Sequence, residues 1–376
     1  RSLYEARYGA LRCAINNTSL REQEWIARMS ETNAAWQLVD AFCGGGLFSF
    51  GAASAGMRVV EAVDCCPEAL ALYKLNFKTH VSCASLGLGL QDYKFPKPRS
   101  RLHVHLSPPC QELSNAKSGA RSNYGIEMLH WSIEVGSLHD SFSVETVHTG
   151  QTLALAKGMT TATPGRVAYG VYDAINFGCA QNRVRLIIAT PDIIKRLNEA
   201  PASARVSVED AFRSNGVPIP HGATHVKHSG VVVARPHLRP VQGPAFTCCA
   251  SRALSFCTSD GTTVVSMKPE HTRILMGLPT TYTLSSKQRI DQRVLGNGVV
   301  FGLARAIALA TMGQPIDPII APPTTHTECM PLTTSRKRFA ESGEISKREC
   351  KCHELQDRLL LLESQVARMR KSIRRK

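Results

Sequence analysis

The sequence lacks several features that would place it in common classes of protein. It has no run of about 18 apolar residues, the minimum for a membrane-spanning helix, and we expect no membrane partner. Aromatic residues make up only 6%, too few for an extended stacking platform for single-stranded nucleic acid. Acidic residues are also scarce, with 30 Asp and Glu against 45 Lys and Arg. The resulting net charge of +15 favours an acidic polymer, nucleic acid first, as the partner.

A disulfide framework is missing as well. The 13 cysteines are odd in number and scattered along the chain, which is typical of reduced thiols in the cytosol or nucleus. Cys350, Cys352 and His353 lie close enough in sequence to be considered as metal ligands. They open a polar, heptad-patterned segment instead, and we predict no metal site.

The two ends of the chain differ in composition from its middle. Residues 1–33 are predicted to form a helical N-terminal extension, and the Pro- and Thr-rich residues 314–340 a linker. Residues 341–376 form a basic segment, and residues 336–376 hold 13 Lys and Arg against 6 Asp and Glu. A heptad spacing there predicts a coiled coil over 352–373 that binds a second copy or another protein, with the seam Leu355, Leu359, Leu362, Val366, Met369 and Ile373.

Between these ends, short apolar runs alternate with helical patterns. This alternation predicts an α/β fold with a parallel sheet and helices on both faces. The predicted strands are 36–42, 59–64, 102–106, 141–147 and 184–190, and the predicted helices are 47–56, 67–77 and 299–310. After Pro191 the pattern weakens, and only a weak strand over 231–234 is predicted.

A glycine-rich turn joins the first predicted strand to the first helix. Residues 40–46 read Asp-Ala-Phe-Cys-Gly-Gly-Gly, and such glycines let a ligand approach the backbone beside the free N–H groups of a helix start. Asp64 ends the second strand and can accept hydrogen bonds from a ribose diol, so the two features fit an adenosine-containing cofactor. The turn lacks the Lys-Ser/Thr of a triphosphate-binding loop, and a turn needed only for packing is the alternative.

Reactive side chains lie at the ends of further strands. Residues 106–111 read Leu-Ser-Pro-Pro-Cys-Gln, and the two prolines mount Cys110 rigidly at the sheet edge, as a thiol nucleophile requires. Glu145 lies near the end of the next strand, and Arg183 and Arg185 lie where another begins. Taken singly, these are a buried cysteine, a solvated acid and a surface arginine pair. Taken together, they predict one cleft with a thiol, an acid and fixed cations.

In their order, these segments resemble the motifs of the cytosine-C5 DNA methyltransferase family over about residues 36–312. The resemblance rests on the segments 40–46, 63–77, 107–111, 144–147, 177–185, 238–247 and 276–299. It implies a Rossmann-like methyltransferase fold that binds S-adenosylmethionine and double-stranded DNA. The implied domains are a cofactor-binding and catalytic domain (34–190), a small target-recognition domain (191–265) and a C-terminal motif that returns to the catalytic domain (266–313).

The resemblance also implies a role for each matching residue. Cys110 attacks C6 of a cytosine flipped out of the duplex, and Glu145 contacts N3 and the exocyclic amine. Arg185, with Arg183 beside it, holds O2 of the base. C5 then takes the methyl group of S-adenosylmethionine, and loss of the C5 proton releases Cys110. The implied cofactor-binding residues are Phe42, Gly44, Gly46, Asp64, Pro108 and Asn297.

Departures from the family pattern leave alternatives open. Leu47 stands where the family has Gly, and Thr146 where it has an Asn that supports the cysteine loop, which would suit a catalytically weak DNA-binding or scaffold subunit. The same chemistry on tRNA is another alternative, although we do not find the Cys-Phe-Thr signature of the tRNA-directed branch. A DNA methyltransferase implies the nucleus, in a eukaryote or a virus that infects one, and the cytoplasm otherwise.

Overall fold

The computed structural model describes residues 36–87, 93–113, 123–229 and 237–318. The N-terminal extension 1–33, the weak strand 231–234, the coiled coil and most of the linker lie outside the described residues, so these stay predictions. All nine cysteines within the described residues are free thiols.

Seven strands form the central sheet in the order β3-β2-β1-β4-β5-β7-β6. Their bounds are β1 Gln37–Ala41, β2 Arg58–Asp64, β3 His80–Cys83, β4 Leu102–Leu106, β5 Ser141–Val147, β6 Ala168–Asp173 and β7 Val184–Ala189. The strands from β3 to β5 pair in parallel, but β7 runs antiparallel to both β5 and β6. The prediction of a parallel sheet is therefore wrong for β7. The connection 174–183 explains this, because parallel neighbours need a crossover of about a dozen residues or more.

Helices cover both faces of the sheet, as predicted. Their bounds are α1 Leu47–Ser54, α2 Pro67–Asn76, α3 Tyr124–Ser137, α4 Gly150–Ala162, α5 Pro191–Glu199, α6 Val208–Ser214, α7 Pro269–Leu275, α8 Gln288–Asn297 and α9 Phe301–Thr311. The adjacent residues Leu38 and Val39 of β1 belong to two different core clusters, because successive side chains of a strand point to opposite faces. One cluster contains side chains of α1, α5 and α9, and the other contains side chains of α3 and α4.

Local sequence signals fix where several helices begin. Pro67 and Pro191 occupy the first turns of α2 and α5, where a missing backbone N–H breaks no helical hydrogen bond. Ser207 caps α6, since its hydroxyl accepts a hydrogen bond from the N–H of Asp210 at 3.0 Å. Within the described residues no single helix is long and apolar enough to span a membrane, although α8 and α9, bent by 45°, meet that requirement as a pair.

A smaller antiparallel sheet follows later in the chain, in the order β11-β10-β8-β9. Its strands are β8 His225–His228, β9 Arg239–Pro240, β10 Leu254–Cys257 and β11 Thr263–Ser266. Phe256 of β10 is buried against Phe212 of α6, with ring centroids 5.3 Å apart. This sheet lies in and just beyond the predicted target-recognition range 191–265, whereas α5, at the start of that range, packs on β6, β7 and α9.

Candidate active site

The glycine-rich turn joins β1 to α1. Phe42, Gly44 and Gly46 have positive φ angles of 59°, 54° and 84°, the left-handed region that favours glycine. A Cβ on Gly46 would lie 2.7 Å from the ring of Tyr73, so packing requires glycine there. A Cβ on Gly44 would meet no atom within 4 Å. The turn is therefore closed on the Gly46 side and open above Gly44.

Asp64, at the end of β2, holds this turn in place. Its Oδ2 accepts a hydrogen bond from the N–H of Gly44 at 2.9 Å, and its Oδ1 accepts one from the N–H of Cys66 at 2.8 Å. Burial raises the pKa of Asp64, while the backbone hydrogen bonds act in the opposite direction. A carboxylate offers about four lone-pair sites, so it can accept further donors. An acceptor of this kind beside the open space above Gly44 fits an adenosine-containing cofactor.

A second carboxyl, Asp40, lies beneath the turn. Its Oδ2 accepts hydrogen bonds from the backbone N–H of Ser49 at 3.2 Å and from the Ser49 hydroxyl at 2.6 Å, which ties α1 to β1. Its Oδ1 is buried with no hydrogen-bond partner among the described residues. Burial raises the pKa of Asp40 to about 7. The sequence did not predict that Asp40 ties α1 to β1, because the motif 40–46 does not show which of its side chains is buried.

Cys110 lies on a turn that follows β4. The N–H of Ser107 donates to the carbonyl of Ala41 at 3.1 Å, which ties the turn to the end of β1. The N–H of Leu113 donates to the carbonyl of Cys110 at 3.1 Å and closes the turn. Pro108 is buried and Cys110 is half-buried, so the buried proline mounts the cysteine at a fixed place on the sheet edge.

Three charged residues act on the Cys110 thiol. Burial raises its pKa most, and the negative charge of Glu145 raises it further. The positive charges of Arg185 and Arg183 act in the opposite direction. The structure thus brings together the four residues predicted to be catalytic. The balance of these effects raises the pKa of Cys110, which favours the thiol over the thiolate.

Glu145 and Arg185 form an ion pair across two strands. The Nε of Arg185 lies 2.8 Å from Oε1 of Glu145, although its N–H is not aimed along this line, and the contact is an ion pair without a directed hydrogen bond. The Glu145 side chain is 4% exposed and that of Arg185 is 11% exposed. A nearly buried carboxyl is therefore held at the sheet edge by a cation that still reaches solvent.

Arg183 is buried and binds main-chain carbonyls. Its Nη1 donates to the carbonyl of Cys248 at 2.9 Å, and its Nη2 donates to those of Gly296 at 2.9 Å and Gly298 at 2.8 Å. Burial lowers the pKa of Arg183 to about 10, with a further lowering by Arg185. The guanidinium thus joins the start of β7 to two later segments. The catalytic role predicted for Arg183, beside Arg185, stays a prediction.

Asn297 is the predicted cofactor residue that lies farthest along the chain. It is the last residue of α8 and is exposed, between the two glycines whose carbonyls Arg183 binds. Its helix is joined to α2 by an ion pair between Arg293 and Glu68 at 3.0 Å. The structure therefore ties the segment around Asn297 to both the arginine motif and the second helix of the cofactor half.

Sequence comparison finds no relatives, since no family model and no curated protein matches this chain. Solved structures do share its fold. A DNA modification methyltransferase encoded within an E. coli prophage matches with a TM-score of 0.52 at 17% identity, over 74% of this chain and 99% of that one. The Dnmt2 methyltransferase of S. pombe matches with a TM-score of 0.50 at 14% identity, over 74% and 99%. At these identities the likeness shows the fold alone, a mixed α/β fold of the Rossmann-like methyltransferase type.

Proposed function

We propose that this protein is a DNA cytosine-C5 methyltransferase, a member of the family that its motifs resemble. The observation that carries the proposal is the grouping of Cys110, Glu145 and Arg185 at the sheet edge, next to the turn at Gly44 and Asp64. A thiol, an acid and a fixed cation are the groups needed to add a nucleophile to a pyrimidine and stabilise the charge that forms.

The residues of this site divide the chemistry among them. The Cys110 thiol loses its proton to solvent, and its Sγ then forms a bond to C6 of a flipped cytosine. The π electron pair of the C5–C6 double bond becomes available at C5. Glu145 supports the charge that develops at N3, and Arg185 holds O2. S-adenosylmethionine supplies the methyl group when it is bound. Water or hydroxide from solvent then takes the C5 proton, the electron pair of the C5–H bond re-forms the C5–C6 double bond, and the C6–Sγ bond breaks to release the Cys110 thiolate.

The cofactor fits the residues present. Asp64 offers acceptors for the ribose hydroxyls, and the open space above Gly44 admits a ligand against the backbone. Phe42, Gly46, Pro108 and Asn297 complete the set assigned to the cofactor.

The decisive assay uses duplex DNA and S-adenosylmethionine labelled in its methyl group. We expect label on C5 of cytosine, and we expect Cys110→Ser to abolish it. Cys83→Ser is the matched control, because Cys83 is an exposed thiol at the end of β3. A duplex containing 5-fluorocytosine should form a stable covalent complex, since fluorine at C5 prevents the proton loss that expels Cys110. Label that is equal in wild type and Cys110→Ser would contradict the proposal.

The substrate and partners are proposed on the same basis. Double-stranded DNA is proposed as the substrate on the strength of the motifs. The coiled coil 352–373 is proposed to bind a second copy or another protein. The nucleus, in a eukaryotic setting, is the matching location. Competition between tRNA and duplex DNA in the labelled assay separates this proposal from the tRNA alternative. Calorimetry that shows no binding of S-adenosylmethionine would favour the scaffold alternative.

A further inference from the structure

A row of five polar side chains runs along β4 and β5 beneath the nucleophile turn. The strand register places His103 opposite Ser141 and His105 opposite Ser143, and the row continues to Ser107. Both imidazoles and Ser143 are fully buried. Central strands of an α/β sheet are usually apolar on both faces, so five polar side chains in a row need a reason.

Hydrogen bonds join these side chains without a gap. The Oγ of Ser141 lies 2.8 Å from Nδ1 of His103, and the Oγ of Ser143 lies 2.9 Å from Nε2 of the same ring. The Oγ of Ser143 also lies 2.8 Å from Nδ1 of His105, whose Nε2 lies 2.9 Å from the Oγ of Ser107. Every ring nitrogen in the row therefore has a hydroxyl partner.

Both histidines of the row are neutral. Burial lowers the pKa of His103 to about 3 and that of His105 well below its usual value, so both rings are neutral. A neutral imidazole has one N–H donor and one acceptor nitrogen, and the single proton of Ser143 can serve only one of its two rings. Each ring therefore donates to one of its two hydroxyl partners and accepts from the other, and at least one of the two rings donates to Ser143.

The far end of the row reaches the segment that carries the nucleophile. Ser107 precedes the two prolines, which transmit its position to Cys110 because their φ angles are fixed. Ser107 is held by its own N–H, which donates to Ala41, and by the bond between its hydroxyl and His105. Phe48 of α1 stacks on the His105 ring, with centroids 3.3 Å apart and planes 3° apart, and this fixes the ring plane.

We propose that His105 is a positioning residue for the nucleophile, and that its contact with Ser107 holds the turn that presents Cys110 to the substrate. The proposal rests on the proposed function of Cys110. Ser143, which His103 also contacts, binds Nδ1 of the His105 ring. This contact keeps Nε2 of the same ring directed at Ser107.

Two amide substitutions distinguish the contact made by Nε2 of His105 from the contact made by its Nδ1. A glutamine side chain reaches about as far as Nε2, so His105→Gln can keep the contact with Ser107. An asparagine reaches only about as far as Nδ1, so His105→Asn can keep the contact with Ser143 and loses Ser107. The full chain is treated with iodoacetamide without substrate, and alkylation of the Cys110 peptide is timed by mass spectrometry. Single-turnover and steady-state methyl transfer are then measured on the same preparations.

We expect His105→Asn to change the alkylation rate of Cys110 by at least about fivefold, the factor that one hydrogen bond is worth. Its kcat should fall by about 10²-fold, as for a small misplacement of a reacting group, with the KM for duplex DNA little changed. His105→Gln should stay within about twofold of wild type in both measurements. An unchanged alkylation rate in His105→Asn, or equal losses in the two variants, would overturn the proposal.

Ser107→Ala removes the same contact by changing Ser107, which is only partly buried. This variant keeps the test valid if His105→Asn, a change in the core, folds poorly. It should reproduce His105→Asn, and the double variant should show no further loss, because the two changes delete one interaction. His139→Gln changes a buried imidazole that lies outside the row and bonds the carbonyls of Val135 and Pro96. It should lower the melting temperature but leave Cys110 alkylation within about twofold. A change as large as that of His105→Asn would indicate general loosening and would also overturn the proposal.

The two proposals can fail separately. If wild type transfers no methyl group but the alkylation rates follow the expected pattern, the proposed function fails, and what stands is that His105 sets the position of the Cys110 thiol. If methyl transfer is present but alkylation and kcat do not distinguish Asn from Gln at position 105, the role of His105 fails alone.

Discussion

Nε of Arg185 lies 2.8 Å from Oε1 of Glu145, and this ion pair depends on the reversed direction of β7. In the antiparallel register Arg185 stands opposite Val147, at the edge where β5 ends. If β7 ran parallel to β5, its first residues would lie at the other edge of the sheet. The sequence pattern did not show the direction of β7, and it is this direction that places Arg185 next to Glu145.

Replacing Glu145 should separate thiol reactivity from catalysis. In Glu145→Gln the negative charge that raises the pKa of Cys110 is gone, so the thiolate fraction rises and alkylation of Cys110 becomes faster near neutral pH. Methyl transfer should fall by about 10²- to 10⁴-fold, because the amide cannot take the place of the acid. Glu134→Gln, on the exposed face of α3, is the control and should change neither rate. Slower alkylation in Glu145→Gln would contradict the electrostatic argument.

Arg185→Met should act on the thiol in the opposite direction. Removing a cation that lowers the pKa of Cys110 leaves less thiolate, so alkylation should be slower than in wild type at the same pH. The loss also leaves the nearly buried Glu145 without its ion-pair partner. Alkylation rates measured across pH 6 to 10 give the thiol pKa directly. A lower pKa in Arg185→Met would refute the expectation.

Arg183→Met should destabilise the fold more than any surface arginine variant. It leaves the carbonyls of Cys248, Gly296 and Gly298 without their donor, and each unsatisfied buried group costs about 1–3 kcal/mol. We expect the free energy of unfolding to fall by more than about 3 kcal/mol in a urea titration. Arg213→Met removes only exposed ion pairs on α6 and should cost less than about 1 kcal/mol. Equal losses in the two variants would show that the three carbonyls find other partners.

Gly44→Ala should weaken cofactor binding far more than it weakens the fold. A Cβ there meets no protein atom, so its cost to stability is the left-handed backbone alone, about 1–2 kcal/mol. In the occupied site the same methyl group would enter space that the ligand needs, and we expect at least about tenfold weaker binding of S-adenosylmethionine by calorimetry. Gly216→Ala is the matched control, since Gly216 also has positive φ (67°) and open space. Affinities that are equal in the two variants would place the cofactor elsewhere.

Much of the central sheet could be predicted from the sequence because its strands are short apolar runs between turn signals. The predicted strands 36–42, 59–64, 102–106, 141–147 and 184–190 all match observed ones. β3 and β6 were missed. β3 is only four residues long and partly exposed, and β6 contains Gly170 and lies at the other edge of the sheet. Edge strands lack the continuous apolar run that marks a strand buried on both faces.

The motifs of the candidate site and their grouping at one sheet edge could be predicted from the sequence, whereas the distant partners that hold its side chains could not. The turn at Gly44 and the Cys110 mount are local, and the structure places both at the sheet edge. The carbonyl groups that Arg183 binds lie 65 to 115 residues away in sequence. Ser143 on β5, the partner of His105, lies 38 residues away. Such contacts depend on strand register and on how later segments return, which no local pattern shows.

Asp40 gives the fold a dependence on pH that a single substitution can remove. Burial raises its pKa to about 7 in the folded state, against about 3.9 in an unfolded chain. The folded state therefore binds more protons between these values, so the contribution of Asp40 is fully present below about pH 3.9 and is lost as pH rises through about 7. Asp40→Asn has no such titration, so its stability relative to wild type should rise between pH 4 and 8, by roughly 4 kcal/mol at most.

Comparing variant with wild type at each pH is essential, because the buried histidines work in the opposite direction. The pKa of His103 is lowered to about 3 in the folded state. Its contribution to stability is therefore fully present above about pH 6.5 and is lost as the pH falls toward 3. This contribution is common to wild type and Asp40→Asn, so it cancels in their difference. Urea unfolding at pH 4, 6 and 8 supplies the measurement, with the exposed Asp140→Asn as control. If the difference in the free energy of unfolding between Asp40→Asn and wild type stays constant over this range, Asp40 is ionised throughout. Its buried Oδ1 must then have a hydrogen-bond partner.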